Sequence, residues 1–200
     1  MEDSLQAIVH FWFGDTADDA LTAQRQSRLW WRKDTRTDQL ITRRFAGLVQ
    51  QACRGELESW LSSPGGRLAC ILLIDQFGRH IHRGSPAAFA HDKQAQAMTL
   101  AGLERGHDRE LRPIERVFFY LPLEHSEELA HQQLSVSLIS ELVAGLDEAT
   151  ASVFASFEDY AARHRDIIER FGRFPHRNEV LGRQSTREEL EFLTLPGSSF

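Results

Sequence analysis

The chain has very little cysteine and very little lysine. Its 200 residues include only 2 cysteines, Cys53 and Cys70, which is too few for the disulfide framework of a small secreted domain. We therefore predict that both are reduced core residues. Lysine occurs only at Lys33 and Lys93, so arginine supplies 21 of the 23 basic residues. Genomic base composition can cause this bias, but arginine is also the residue best suited to bidentate contacts with carboxylate and phosphate.

Long apolar runs and nucleotide-binding motifs are also missing. No apolar stretch approaches the ~18 residues that a membrane-spanning helix needs, and residues 1–4 are acidic where a secretory signal is basic. We expect a cytoplasmic protein with no membrane partner. The net charge of −6 argues against a nucleic-acid partner. Without a Gly-x-Gly-x-x-Gly, phosphate-loop or Gly-x-Ser-x-Gly motif, the sequence predicts no cofactor and no serine-nucleophile elbow.

What the chain does contain is helical periodicity. Apolar residues recur at steps of three and four in residues 40–52 and 154–171, which is the spacing of one helix face. Gly55 and Gly172 follow these stripes where a left-handed C-terminal cap is usual. The rest of the chain is broken by glycine and proline at short intervals, which predicts about eight or nine helices joined by short loops.

Two short apolar runs allow another interpretation. Residues 71–74 and 117–121 have the length and composition of buried strands, and periodicity alone cannot separate such strands from buried helix. Neither run is flanked by hairpin signals, and strict alternation of apolar and polar residues is absent. We therefore predict an all-α fold, as a single domain over residues 1–200.

Two segments resemble each other. Residues 74–84 and 168–178 are identical at six of eleven aligned positions, and both contain Phe-Gly-Arg-x-x-His-Arg. We predict that two helices end at these glycines, and that the two basic turns meet in space as the sides of one anion site. A helix C-terminus needs about one cation to bond its free carbonyls. The additional cations therefore indicate buried carboxylate partners or an anionic ligand.

A third polar segment lies between the two turns in sequence. Pro122 removes a backbone donor and predicts a kink, and His125 follows it between acidic residues. Acidic groups beside a histidine can perform acid–base chemistry if burial shifts their pKa values; a partly buried salt-bridge network is the alternative. The candidate catalytic residues are Glu124, His125 and Glu127. The spacing predicts one shared helix face for Arg116, Tyr120, Glu124 and Glu127.

Metal binding is the weaker hypothesis for this region. Glu128 and His131 have the Glu-x-x-His spacing of helical di-iron proteins, but those proteins need two such motifs and two further glutamates. The other instance, residues 104–107, is interrupted by Gly106. We predict no metal. We also predict that Pro196–Phe200 is ordered, because the chain closes on an aromatic residue.

Specific strings of residues occur along almost the whole chain: Phe11–Gly14, Trp30–Trp31, Asp75–Phe77, Arg83–Gly84, Arg116, Tyr120–Glu127, His164–Asp166, Arg170–Asn178, Leu181–Thr186 and Pro196–Phe200. In these strings the chain resembles a bacterial family grouped as domain of unknown function 924. The resemblance implies an all-helical fold similar to tetratricopeptide-like stacks, but it implies no activity. The sequence departs from the family's usual pattern at Gly78, where proline is expected, and at His80, where asparagine is expected.

These observations support two hypotheses of different kinds. The first is a pocket for a small anionic molecule, a carboxylate or phosphate compound, with hydrolytic acid–base catalysis as an extension. The second is an interaction module that takes an acidic peptide. A purely structural charge network is the remaining possibility, and the sequence makes no prediction of oligomeric state. The candidate ligand-binding residues are Asp75, Gln76, Arg79, Arg83, Arg116, Tyr120, His164, Arg173, His176, Arg177, Asn178 and Arg183.

Overall fold

Every regular element in the described part of the chain is a helix. The computed structural model describes residues 2–199, with side chains from residue 4 onward. Four short 3₁₀ segments lie between the α-helices, at Glu58–Ser62, Pro86–Phe89, His107–Glu110 and Pro175–Arg177. The α-helices are α1 (Glu2–Phe13), α2 (Asp19–Trp31), α3 (Thr35–Cys53), α4 (Pro64–Ile71), α5 (Gly78–Ile81), α6 (Asp92–Leu103), α7 (Pro113–Glu124), α8 (Leu129–Ala144), α9 (Glu148–Phe171) and α10 (Arg187–Leu193).

The all-α prediction is confirmed, and the strand interpretation of residues 71–74 and 117–121 is wrong. Both runs are buried helix, so their apolar residues are explained by burial on several sides. Local capping chemistry sets many of the helix starts. The carboxylates of Asp18, Asp34 and Asp147 each accept a backbone N–H from the first turn of the helix that follows, which satisfies donors that have no partner inside the helix.

Residues 64–81 form one continuous helix that changes its winding. α4 passes into a π-helical stretch, Leu72–Phe77, and then into α5. Counted as one helix, it brings the helices of the described residues to nine, within the expected range. Gly78 has helical angles, φ −56° and ψ −42°, and its N–H donates to the Leu73 carbonyl. The prediction that the helix ends at Gly78 is therefore wrong; the left-handed glycine comes later, at Gly84.

Aromatic side chains fill the core. Trp12 is fully buried, and its ring centroid lies 5.2 Å from that of Phe77, 5.6 Å from that of Phe118 and 6.4 Å from that of Trp30. The Trp30 Nε1–H donates to the Trp12 carbonyl at 2.9 Å. Rings of this size dominate the apolar area that a core buries. They attach α1, α2 and α7 to the π-helical stretch.

The end of α7 is held by a glutamine from α8. Pro122 lies inside α7 without ending it, and His125 is the C-cap. Gln132 is fully buried, and its Nε2 donates to the carbonyls of Glu124 at 2.5 Å and Ser126 at 2.6 Å. Glu127 lies beyond the helix, so the prediction that it shares a helix face with Glu124 is wrong. Gln132 thus satisfies two carbonyls at and just beyond the end of α7, where no next helical turn supplies a donor.

Two local predictions are confirmed: Gly172 ends α9 in the left-handed conformation, with φ 66°, and both cysteines are free thiols. Cys70 is buried as expected, whereas Cys53 is only partly buried. At the C-terminus, Ser198 is buried and its hydroxyl donates to the Leu193 carbonyl at 3.2 Å. Phe200 lies outside the described residues. Over the part of the chain with described helices, none is both long and apolar enough to cross a bilayer.

Candidate functional site

The π-helical stretch positions a buried carboxylate. Asp75 is 1% exposed, and its Oδ1 accepts hydrogen bonds from His125 Nδ1 at 2.7 Å and from Arg79 Nη2 at 3.1 Å. Its Oδ2 accepts from Gln76 Nε2 at 2.5 Å. Burial acts to raise the pKa of Asp75, but His125 and Arg79 lower it well below its usual range. Asp75 is thus an ionised carboxylate with three donors, at the kind of helix irregularity that is frequent in functional sites.

His125 is held by Asp75 in one tautomer. Because an ionised carboxylate accepts the hydrogen bond, Nδ1 carries the proton and Nε2 carries the lone pair. Burial lowers the pKa of His125 by more than the Asp75 charge raises it, and Arg79 lowers it further. The imidazole is therefore neutral near pH 7. No residue of the described chain forms a hydrogen bond with His125 Nε2, and the side chain keeps 16% exposure.

Asp92, which the sequence did not single out, joins the two basic turns. Its Oδ1 accepts from Arg79 Nη2 at 3.0 Å, and its Oδ2 accepts from Arg177 Nη1 at 3.3 Å. The ring of Phe89 lies 5.2 Å from the guanidinium carbon of Arg79 and 4.8 Å from that of Arg177. The two turns therefore meet, and they meet at Asp92 and Phe89. We call Asp75, Arg79, Asp92, His125 and Arg177 the central cluster.

Arg177 is the least satisfied charged group of the central cluster. It is 6% exposed and lies between two rings, 4.8 Å from Phe89 and 4.4 Å from Phe174. Among the described residues, its single hydrogen bond is the long one to Asp92, and its buried Nε has no acceptor. Burial and the positive charge of Arg79 lower the pKa of Arg177 to about 10. A guanidinium has five N–H donors, so most of the hydrogen-bonding capacity of Arg177 is unused.

A second acid–histidine pair lies next to the central cluster. His164 Nδ1 lies 2.9 Å from Glu124 Oε1 and 2.8 Å from the Tyr160 carbonyl. Its ring centroid is 6.2 Å from that of His125. Both Glu124 and His164 are nearly inaccessible to solvent. Glu124 and His164, two of the candidate residues, therefore bond each other beside His125.

Glu127 joins the end of α7 to the segment after α9. Its carboxylate forms two bonds with Arg183, at 2.7 and 2.9 Å, and accepts the Phe174 N–H at 2.8 Å. Burial acts to raise the pKa of Glu127, but the hydrogen bonds from Arg183 and Phe174 lower it. Both of its oxygens are occupied, so Glu127 and Arg183 hold the second basic turn in place.

Arg83 and Arg173, two of the candidate arginines, each pair with a carboxylate outside the central cluster. Arg83 binds Asp38 on α3, with Nε donating at 2.7 Å and Nη2 at 2.9 Å. Arg173 binds Glu189 on α10 through Nε at 2.6 Å and Nη2 at 2.8 Å. Each has its own carboxylate, and neither contacts Asp92. The expectation that Arg173 helps to form the shared anion site is therefore wrong.

Arg116 and Tyr120 form another separate group. The Tyr120 hydroxyl donates to Asp108 Oδ2 at 2.8 Å and accepts from Arg116 Nε at 3.1 Å. Burial raises the pKa of Tyr120, so its hydroxyl stays protonated. Both residues lie on α7 as expected, but Tyr120 bonds Asp108 in the 3₁₀ segment before that helix, and Arg116 bonds Tyr120.

His176 and Asn178 complete the second turn. Burial, with the charges of Arg177 and the neighbouring His164, lowers the pKa of His176 to about 3. His176 is therefore neutral in the folded protein at ordinary pH. The Asn178 Nδ2 donates to Ser185 Oγ at 3.1 Å, and its buried Oδ1 has no partner among the described residues.

The residues that sequence reasoning missed are mostly carboxylates on other helices. Asp92 lies in the first turn of α6, where an acidic residue is expected simply from the helix dipole. Asp38 on α3 carries the same ordinary signal. Only their partners reveal their role. The described residues contain no grouping of three or more histidine, cysteine or acidic side chains suited to a metal ion.

Comparison with known proteins identifies the family of the chain. A family model described as bacterial protein of unknown function (DUF924) matches residues 8–197. The chain belongs to this family. A solved structure of a protein of unknown function from Agrobacterium tumefaciens is 36% identical, with a TM-score of 0.81, over 96% of this chain and 97% of that one. No curated protein matches the chain. Membership in the family establishes the all-helical fold and leaves the activity to be argued from the site.

Proposed function

We propose that the protein binds a small carboxylate or phosphate compound at Arg177, and that His125 acts on it as a general base in a hydrolytic reaction. The under-bonded guanidinium of Arg177 carries the proposal. A buried polar group without partners costs roughly 1–3 kcal/mol, and more when it is charged. An anionic ligand would remove that cost by supplying the missing acceptors.

The bond between Arg177 and Asp92 is the weak contact of the central cluster, and an anionic ligand could replace it. The two arginines of the central cluster share Asp92, and the bond from Arg177 to Asp92 is long, at 3.3 Å. Charge-assisted hydrogen bonds between arginine and an oxyanion are normally ~2.7–2.9 Å, and they are frequently bidentate. A ligand oxyanion can therefore compete with Asp92 for Arg177, while Asp92 keeps its 3.0 Å bond to Arg79.

The Asp75–His125 pair supports the catalytic part of the proposal. With its Nδ1–H donated to Asp75, His125 presents the Nε2 lone pair, which can take a proton from water. The water oxygen then forms a bond to the ligand's phosphorus or carbonyl carbon. The bond from that atom to the leaving oxygen breaks, and the leaving oxygen takes the proton from Nε2. Arg177 would stabilise the negative charge that develops on the ligand oxygens.

Binding of an extended acidic peptide is the competing proposal, and the burial of the central cluster favours a small molecule instead. The side chains of Arg177 and Arg79 are only 7% and 20% exposed. An extended peptide docks on accessible surface, whereas a compact anion can enter a buried site.

Ligand-dependent stability tests the binding part. Phosphate, sulfate and succinate should each be titrated while thermal unfolding is followed. An anion that binds should raise the free energy of unfolding by about 2.7 kcal/mol at one hundred times its dissociation constant. Arg177→Gln should lose the part of this gain that comes from binding at Arg177, and the exposed Arg25→Gln should keep the gain in full. An equal gain in Arg177→Gln contradicts the proposal.

The base is tested by turnover. A set of phosphate monoesters and carboxylic esters should be assayed with the wild type, His125→Gln and the exposed control His82→Gln. Loss of a general base lowers kcat by roughly 100-fold or more, and His125→Gln should show this loss while it keeps the affinity for the anion. Equal turnover in His125→Gln and the wild type refutes the catalytic role.

A further inference from the structure

A further histidine–carboxylate pair, His80 and Asp38, joins α5 to α3 outside the central cluster. His80 Nδ1 lies 2.7 Å from Asp38 Oδ1, the same distance as in the His125–Asp75 pair. Arg83 binds the same carboxylate through two donors, Nε to Oδ2 at 2.7 Å and Nη2 to Oδ1 at 2.9 Å. The His80 side chain is 6% exposed. Asp38 therefore fixes both the imidazole and the guanidinium fork.

The contacts determine the tautomer of His80. Burial acts to raise the pKa of Asp38, but the hydrogen bonds from Arg83 and His80 lower it, so this carboxylate is ionised at neutral pH. Burial lowers the pKa of His80, so the imidazole is neutral. His80 Nδ1 lies 2.7 Å from Asp38 Oδ1 and 3.1 Å from Arg83 Nη2. Because the ionised Oδ1 accepts from both His80 Nδ1 and Arg83 Nη2, the proton of His80 is on Nδ1 and its Nε2 carries the lone pair. The described hydrogen-bond contacts of His80 are at Nδ1, and none is at Nε2. It is a hydrogen-bond acceptor without a donor.

This pair lines a concavity of ≈ 380 Å³. The volume is in the range of small-molecule sites. Arg43 on α3 also lines it, is exposed, and forms no ion pair with any residue in the described part of the chain. The lining contains two arginines, Arg43 and Arg83, and one carboxylate, Asp38. The concavity therefore carries an excess positive charge, although the net charge of the chain is −6. The remaining lining residues are Thr35, Gln39, Thr42 and Ile81.

We propose that this concavity is a second binding site, for a small oxyanion that carries a hydroxyl group, with phosphate as the simplest case. Arg43 and the free Nη1 of Arg83 would bond the anionic oxygens, and His80 Nε2 would accept the hydrogen bond of the P–OH group. Because Asp38 already holds Arg83 and His80, little side-chain entropy is lost when the ligand binds. This site shares no residue with the central cluster.

The acceptor at His80 makes the site selective between two similar anions. Inorganic phosphate keeps at least one proton at neutral pH, so it can donate to Nε2 while its other oxygens accept from the arginines. Sulfate has no proton to donate, and its oxygens would face the Nε2 lone pair. A site built to accept a hydroxyl discriminates strongly against an analogue that lacks it. Phosphate should therefore bind more tightly than sulfate here.

Nitrogen NMR of histidine-labelled protein tests the proposal at a single residue. Phosphate should shift the His80 Nε2 resonance in a saturable manner, and sulfate should have at least roughly tenfold lower affinity. Arg43→Gln should weaken phosphate binding about tenfold, the loss expected for one charge-assisted contact. The matched control is Arg36→Gln, an exposed arginine on the same helix that does not line the concavity.

The same experiment separates this site from the central cluster. Arg177→Gln should leave the His80 response unchanged. A phosphate response confined to His125 and His176 overturns the second site and leaves the proposed function standing. An unchanged affinity in Arg43→Gln, or equal affinities for phosphate and sulfate at His80, also overturns it.

Discussion

The two similar segments, residues 74–84 and 168–178, adopt different backbones at the same glycine. Gly78 is helical, and its helix continues to Ile81, whereas Gly172 is left-handed and ends α9. Glycine accepts both conformations, so its neighbours decide. The second segment has Pro175 where the first has Ile81, and a proline disfavours helix at the residue before it. Phe174 is accordingly extended, with φ −86° and ψ 107°.

This difference changes which arginines meet. Arg79 of the first segment and Arg177 of the second share Asp92, although they occupy different positions of the common pattern. Their sequence counterparts, Arg173 and Arg83, bind separate carboxylates on α10 and α3. The shared motif therefore predicts that basic side chains are present in both segments, but it does not predict which of them come together.

The largest expected effect comes from removing the carboxylate that joins the segments. Asp92→Ala leaves Arg79 and Arg177 without their common partner, and breaking a buried ion pair from one side costs about 3–5 kcal/mol. Urea denaturation should show this loss. Glu188→Ala, which removes the partner of Arg170 in an exposed pair, should cost less than about 1 kcal/mol. Similar losses in the two variants would mean that the Asp92 bridge contributes no special stability.

The second prediction uses the histidine that both segments contain. His176 has a folded pKa of about 3 against an ordinary value of 6.5, so between these values the unfolded chain binds a proton that the folded protein does not. Stability should then fall as pH decreases from about 6.5, by up to about 1.4 kcal/mol per pH unit. His176→Gln should remove this contribution when unfolding is compared at pH 7 and pH 5. His82→Gln, at the equivalent exposed position, should follow the wild type; a slope in His176→Gln equal to that of the wild type contradicts the assignment.

The smallest effects concern the two glycines, and they should have opposite signs. Gly172→Ala places a Cβ at φ 66°, which costs roughly 1–2 kcal/mol in the left-handed region. At Gly78 a new Cβ meets only the Leu73 carbonyl oxygen at 3.8 Å, an ordinary contact. Gly78→Ala should therefore stabilise the helix by roughly 0.5–1 kcal/mol. Thermal denaturation of both variants measures the contrast, and destabilisation by Gly78→Ala would show that the π-helical stretch needs glycine there.

Local chemistry made part of the candidate site predictable. Asp75, Arg79, His125 and Arg177 were candidates from sequence because their residue types are unusually dense in short segments. Asp92 and Phe89 were not, because a first-turn aspartate and an apolar residue in a short connection are ordinary features. Their importance depends on α6 and the segment before it lying against two turns that are distant in sequence.

The sequence by itself determined the helical class, the helix end at Gly172 and the supply of basic and acidic side chains, because these follow from periodicity, left-handed glycine and residue type. The tertiary structure alone decided that Gly78 stays helical and that Arg79 shares Asp92 with Arg177 rather than with Arg173. It also decided that His80 and His125 each bond an aspartate. The physical reason is that a buried charge takes the partner that packing brings within hydrogen-bond distance, and packing depends on the whole chain.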